Sequence, residues 1–267
     1  MKYLILDASP DKSGAGTLAE QIKTEIICMS NSAVFREVRL SQINLPFCTG
    51  CGQCLKTSHE LCPHSDIVSD IIRQIEWCDG VILLTAAINM QPAALTKNLT
   101  DHLSFLYHRP RFFSKKALVI AAGTQKGTKQ TAKYLSDTLR SFGFNKCFRL
   151  PENSLGVNSP EANYKIYIHC EKTAKKFHNE VSLKKIHSPS WVQVMNYNLQ
   201  RGKYRTNKKE TEPETYNSRY WTEPYRAKKA YDPSVPLPFY KAVFGRILCG
   251  LGKKSAAGQP LHTKNSL

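Results

Sequence analysis

The chain has 267 residues, of which 41% are hydrophobic and 22% charged, a composition that excludes wholesale disorder. No apolar run reaches the ~20 residues needed to span a bilayer. Met1-Lys-Tyr-Leu-Ile-Leu-Asp7 meets a charge at once and offers no small-residue cleavage site, so no signal peptide is expected and the cytoplasm is the expected location. With 38 Lys and Arg against 21 Asp and Glu the formal charge is +17, and residues 151–267 hold 20 of the bases but only 9 of the acids. Such a field attracts anionic partners. No zinc-finger spacing or ribonucleoprotein-type aromatic motif accompanies it, so nucleic acid is not an expected partner.

In chain order, residues 2–7 form a short apolar run of the kind that makes a buried strand. Ala8 to Gly16 is turn chemistry, and from Thr17 the positions Leu18, Ile22, Ile26 and Ile27 recur at helical spacing. A second strand is predicted over 34–40, followed by a cysteine-rich loop. Ile67, Ile71, Ile72 and Ile75 share one face of a helix over 66–77. Strands over 80–85, 117–122 and 145–150 alternate with helices over 92–107, 128–141 and 161–180. Strand and helix alternating about five times call for a parallel sheet covered on both faces, with its strands nearly all apolar. The loops after the first, third and fourth strands then share the carboxyl edge, where such folds bind ligands. Beyond about residue 188, aromatics and prolines appear among basic residues, so the expected division is 1–187 and a C-terminal extension over 188–267. Within the extension, 239–251 is amphipathic, suited to packing on protein, with a lipid surface as the other reading.

The loop after the first strand places Ser9, Ser13, Gly16 and Thr17 just ahead of a helix. Exposed backbone N–H groups and the helix dipole favour an anion there, with hydroxyls as added donors. The loop lacks the Gly-Lys-Ser/Thr ending of a P-loop and is not Gly-x-Gly-x-x-Gly. Thr85-Ala86-Ala87-Ile88-Asn89 and Gly123-Thr124 leave the same edge, and together the three loops suggest a cradle with a phosphate end and a flatter end for a ring system.

Four of the nine cysteines, Cys48, Cys51, Cys54 and Cys62, fall within fifteen residues. In a chain without a secretory signal, such clustering points to metal or redox chemistry. The spacing lets three thiolates converge on one centre with Cys62 completing a four-thiolate set for a [4Fe–4S] cluster, while packed or redox-active thiols are the alternative. A structural zinc site more often uses two separated pairs. Cys28 and Cys78, near helix ends among apolar residues, are expected in the core. His102 is expected at the surface or an interface.

Ala8-Ser9-Pro10…Gly16-Thr17, the Cys-x2-Cys-x2-Cys…Cys run, Trp77-Cys-Asp-Gly-Val-Ile-Leu-Leu-Thr85 and Leu95-Thr-Lys-Asn-Leu-Thr-Asp-His102 stand in an order that resembles the flavodoxin-like NADPH-dependent FMN reductases. Within these, the chain is similar to the group that includes iron–sulfur flavoproteins and to NAD(P)H-dependent oxidoreductases. The resemblance covers roughly residues 1–150. It implies a doubly wound five-stranded parallel sheet in the order 2-1-3-4-5. It further implies FMN with Ser9, Gly16, Thr17 and Leu18 around its phosphate, residues 85–90 along its ring, and Gly123 and Thr124 closing the other side. The implied chemistry is hydride transfer from NAD(P)H to flavin and onward to an unknown electron acceptor. The implied assembly is a homodimer. No catalytic acid or base is nominated, because the cofactors react and the protein orients them. The chain departs from the family pattern at Ala86-Ala87-Ile88, where relatives carry Pro-Val-Tyr. Two other readings stand: an electron carrier in which a [4Fe–4S] cluster feeds FMN, and a flavin-free basic binding protein on the same fold.

Overall fold

The computed structural model describes residues 1–9, 14–123, 126–153, 159–206 and 215–257. Its contacts divide the chain into two units, Met1–Cys51 with Cys62–Ile186, and Gly52–Leu61 with His187–Leu267.

The first unit is built on six strands: β1 (Lys2–Asp7), β2 (Val34–Arg39), β3 (Gly80–Ile88), β4 (Gln91–Pro92), β5 (Lys116–Ala122) and β6 (Lys146–Glu152). Five of them form a parallel sheet in the order β2-β1-β3-β5-β6, and β4 pairs antiparallel with the end of β3. The five parallel strands thus keep the expected order, and β4 is an addition. Position in the sheet explains the composition of each strand. Every residue of β5 and the first six of β3 are buried, because helices cover both faces, whereas edge strand β2 has no buried residue.

Helix α1 (Gly14–Met29) sets Leu18, Ile22 and Ile26 on one sheet face, together with Tyr3, Ile5, Ile82, Leu84, Leu118 and Ile120. The cluster includes Phe177 and Val181 from α6 (Pro160–Ser182). Burying each such side chain contributes about 1.5–3 kcal/mol. The Ser159 hydroxyl caps α6 by accepting the Ala162 N–H at 3.1 Å, and Pro160 opens the helix. Cys28, expected in the core, is exposed, because α1 turns its last residues away from the sheet, and Ile27 beside it is also exposed. Cys78 is buried as expected.

Between the strands lie a short α2 (Gln53–Lys56), α3 (Ser65–Trp77), α4 (Ala94–His102) and α5 (Thr128–Ser141). Helix α3 buries Val68, Ile71, Ile72 and Ile75, so Val68 takes the place expected for the half-buried Ile67. The single helix expected over 92–107 is three pieces: Pro92 belongs to β4, α4 follows, and a 3₁₀ turn spans Ser104–Tyr107. Pro92 pairs with Ala87 in the hairpin, and the extended backbone of Ala93, at φ −56° and ψ 153°, delays the helix start to Ala94.

In the second unit, α7 (Trp191–Thr206) and α10 (Phe239–Ala257) flank two short helices, α8 (Tyr216–Thr222) and α9 (Pro224–Ala227). Glycines let α7 and α10 approach backbone to backbone: a Cβ on Gly202 would lie 2.2 Å from the Cys249 carbonyl oxygen, and one on Gly252 2.5 Å from that of Leu199. Tyr197 packs between Trp221 and Tyr231, each ring centroid 4.7 Å away. Segment 52–61 is tied to this unit by Asn217, whose Nδ2 donates to the Leu55 carbonyl at 3.0 Å.

Candidate cofactor site

The register fixes where the loops leave the sheet. Asp7 of β1 pairs with Leu84 of β3, and Thr85 and Ala86 pair with Ala121 and Ala122 of β5. The segments after all three strands therefore depart from one level of the carboxyl edge. The strand order reverses between β1 and β3, the switch point at which open α/β sheets take ligands.

Ser9 is buried. Its N–H donates to Asp7 Oδ1 at 2.8 Å and its hydroxyl donates to the same oxygen, so the side chain turns back to its own strand. Asp7 Oδ2 lies 3.9 Å from Arg39 Nε. On the first turn of α1, Gly16 is half-buried with nothing within 4 Å of a would-be Cβ, Thr17 is exposed, and Leu18 is a core residue. Ser13 and Thr124 lie outside the described residues.

Thr85 is fully buried, and its hydroxyl serves as a local hub. It accepts from the Ala93 N–H at 3.1 Å and the Thr96 hydroxyl at 2.8 Å, and donates to the Ala86 carbonyl at 3.0 Å. Its side chain ties the end of β3 to the start of α4 and has no donor left for a ligand. Ala86 and Ala87 are half-buried, while Ile88 and Asn89 are exposed. Small side chains here leave the edge open.

Sequence reasoning missed the tight hairpin beyond. Ala87 pairs with Pro92 and Ile88 with Gln91, leaving Asn89 and Met90 as a two-residue turn with φ of 47° and 64°. Both left-handed angles mark a type I′ turn. Asn tolerates that conformation, but Met pays about 1–2 kcal/mol for it. The turn rests on the segment before α5. Gly127, at φ 124°, has room for no side chain, since a Cβ would stand 2.7 Å from Met90 Cα. Gly123 donates its N–H to the Glu152 carbonyl at 3.0 Å, and a Cβ there would lie 3.3 Å from the Ala87 carbonyl oxygen. The segments after β3 and β5 are thus in contact, as a shared cradle requires. The only sequence signal for the turn was Asn89 itself.

Helix α4 faces the cysteine loop. Asn98, buried, donates from Nδ2 to the Leu45 and Pro46 carbonyls at 3.1 and 3.0 Å and accepts the Cys48 N–H at 2.9 Å. His102, expected at the surface or an interface, is buried within the chain's own fold. Its Nε2 stands 2.9 Å from the Pro46 carbonyl, which accepts only, so Nε2 carries a proton and a neutral ring would turn the lone pair of Nδ1 toward Cys62 Sγ, 4.0 Å away. The correction has a tertiary cause: loop 45–48 folds over the helix face that carries both residues. Cys48 and Cys51 are exposed, Cys54 and Cys62 half-buried, and no disulfide joins any of the nine cysteines. Cys54 belongs to the second unit. Among the described residues no group of three or more His, Cys, Asp or Glu side chains is gathered as for a metal ion. Arg111 pairs with Glu76, and Arg109 is buried with its guanidinium 5.1 Å from the Phe105 ring centre.

The sequence model of NADPH-dependent FMN reductases matches residues 1–159. The chain belongs to that family. An iron–sulfur flavoprotein of Archaeoglobus fulgidus is 27% identical over 146 residues, which span 54% of this chain and 64% of the relative's own length. Among solved structures, the azoreductase AzrA superposes with a TM-score of 0.54 at 15% identity, covering 66% of this chain and all of that one. An FMN-dependent NADH-azoreductase of Bacillus anthracis, determined in complex with FMN, gives 0.51 at 16% identity over 67% of this chain and all of that one. These structural likenesses show the same flavodoxin-like fold.

Proposed function

We propose that the chain is an FMN-dependent NAD(P)H oxidoreductase that passes reducing equivalents from a nicotinamide through flavin to an electron acceptor. The observation that carries this reading is the departure of Ser9, Ala86-Ala87 and Gly123 from one level of the sheet edge, in a chain of the FMN reductase family. The residues fit the cofactor. Open space over Gly16 at the start of α1 suits a phosphate, and two alanines leave the neighbouring edge free of bulk.

Bound FMN supplies the hydride chemistry. The chain's own residues bind and orient. Backbone N–H groups of the first turn of α1 and the Thr17 hydroxyl would hold the phosphate. The backbone of Ala86-Ala87 and of Gly123 would hold the ring, with the Asn89-Met90 turn, which rests on Gly127, beside it. Ser9, Leu18 and Thr85 act by shaping this edge, since their side chains are engaged or buried elsewhere. Exposed Ile88 and Met90 beside the edge support a second subunit closing over it, and on this reading the enzyme is a cytoplasmic homodimer.

A [4Fe–4S] cluster on Cys48, Cys51, Cys54 and Cys62 is the second reading, supported by the name of the Archaeoglobus relative. The described side chains do not gather three ligands as they stand, so no electron step is derived through a cluster.

Anaerobic purification tests both readings. Flavin absorbance with NADH or NADPH oxidation supports the first, and iron with acid-labile sulfide supports the second. A colourless protein that neither takes up added FMN nor oxidises NAD(P)H refutes the enzyme assignment and leaves a basic binding protein.

A further inference from the structure

We propose that the outward face of α10 docks on an anionic phospholipid surface. The helix has two unlike sides. Gly245, Cys249 and Gly252 face α7, where a Cβ on Gly245 would stand 2.6 Å from Asn198 Nδ2. On the other side Phe239, Val243, Ile247 and Leu251 follow one another at intervals of four, which places them in a single stripe. All four are exposed, Phe239 at 79% and Ile247 at 61%. The stripe continues at its N-terminal end into Tyr240 and Trp191, whose ring centroids are 5.7 Å apart and which are both half or more exposed.

Charge selects the occupant. Exposed Arg246, Lys253 and Lys254 flank the stripe, and no Asp or Glu occurs from residue 233 to the end of the chain. A second copy of the same face would set these cations against one another. An acidic bilayer neutralises them, while the apolar row enters the boundary between headgroups and acyl chains. Trp and Tyr at one end suit that boundary, with an apolar body and a polar tip. No helix among the described residues is long and apolar enough to cross a membrane, so the contact is peripheral.

The test uses the full chain and sedimentation with vesicles. Association is expected with phosphatidylcholine vesicles containing roughly a third phosphatidylserine. It should weaken by about a hundredfold on pure phosphatidylcholine or at high salt, because each cation near an acidic surface contributes separately. The double variant Val243→Glu/Ile247→Glu, altered only at exposed positions, should keep its circular dichroism and its FMN uptake while losing vesicle binding. Brominated lipid should quench Trp191 emission, and Trp191→Phe should remove that response. The proposal falls if the wild-type chain ignores phosphatidylserine vesicles, or if the double variant still binds them. It also falls if the chain forms a dimer that the double variant breaks and no vesicle binding is seen, for the face is then a subunit interface. None of these outcomes depends on whether the chain oxidises NAD(P)H.

Discussion

Replacing Gly127 by Ala tests whether the turn after β3 is braced as described. At φ 124° an L-residue is strained by about 1–3 kcal/mol. The new methyl would also stand 2.7 Å from Met90 Cα, 3.0 Å from its Cγ and 3.1 Å from its N. Two of those three atoms are backbone, so the turn itself must shift, at about 1–3 kcal/mol for overpacking. Loss of unfolded-chain entropy returns a fraction of this. The net expectation is a loss of about 2–4 kcal/mol, measurable as a lower urea midpoint at unchanged slope. FMN affinity, read by fluorescence titration, should fall with it. Met90→Gly removes Cγ but leaves Cα and N, so it should not rescue the variant: the coupling in a double-mutant cycle should stay within about 0.5 kcal/mol. Full rescue by Met90→Gly, or a loss below about 0.5 kcal/mol in the single variant, would refute the bracing.

Other expectations follow from the same geometry. Asn98→Ala removes three hydrogen bonds to loop 45–48, at about 1 kcal/mol each, and should speed alkylation of the Cys48 thiol; an unchanged labelling rate counts against the tether. Gly202→Ala pushes a methyl into the α10 backbone and should raise hydrogen exchange across 191–206 and 239–257 by about 3 kcal/mol of lost protection, while β5 stays protected; uniform exchange would disprove the close approach. Native protein should expose Cys28, Cys48 and Cys51 to a thiol reagent at once, with Cys78, Cys147, Cys170 and Cys249 reacting only after unfolding. Burial pushes the thiols of Cys78, Cys147 and Cys170 up to about 12 from a reference of 9.0. Below the unfolded value both states hold the proton and these thiols add their full stability. Above pH 9 only the unfolded chain releases it, so stability should drop between pH 9 and 12 by up to about 1.4 kcal/mol per pH unit per thiol. A urea midpoint that stays level from pH 9 to 11 would contradict this.

The central strands were legible because a strand covered on both faces must be apolar throughout: 80–85 and 117–122 read as continuous runs and lie in β3 and β5. The helix expected over 128–141 is α5, and two residues beyond it Gly143 takes the left-handed φ of 107° that ends it. What escaped the sequence depends on contacts distant along the chain. Nothing near His102 announces that Pro46 will fold over it, and nothing near Cys54 announces that residues 52–61 join a unit whose other members begin at 187. The family resemblance set Thr85 among residues 85–90 along the ring, and nothing near it in sequence announces that Thr96, eleven residues on, donates its hydroxyl to the Thr85 oxygen. The three-loop edge was foreseen from strand order, and the Asn89-Met90 turn was not, because a Met in the left-handed region has no sequence preference to betray it.

Residues 52–61 make the basic extension something other than a removable cassette. A truncation at 187 would strip Leu55 of the amide from Asn217 and leave ten residues in mid-chain without the neighbours they fold against. The cysteine run is divided in the same way along the chain, with Cys48, Cys51 and Cys62 in the first unit and Cys54 in the second.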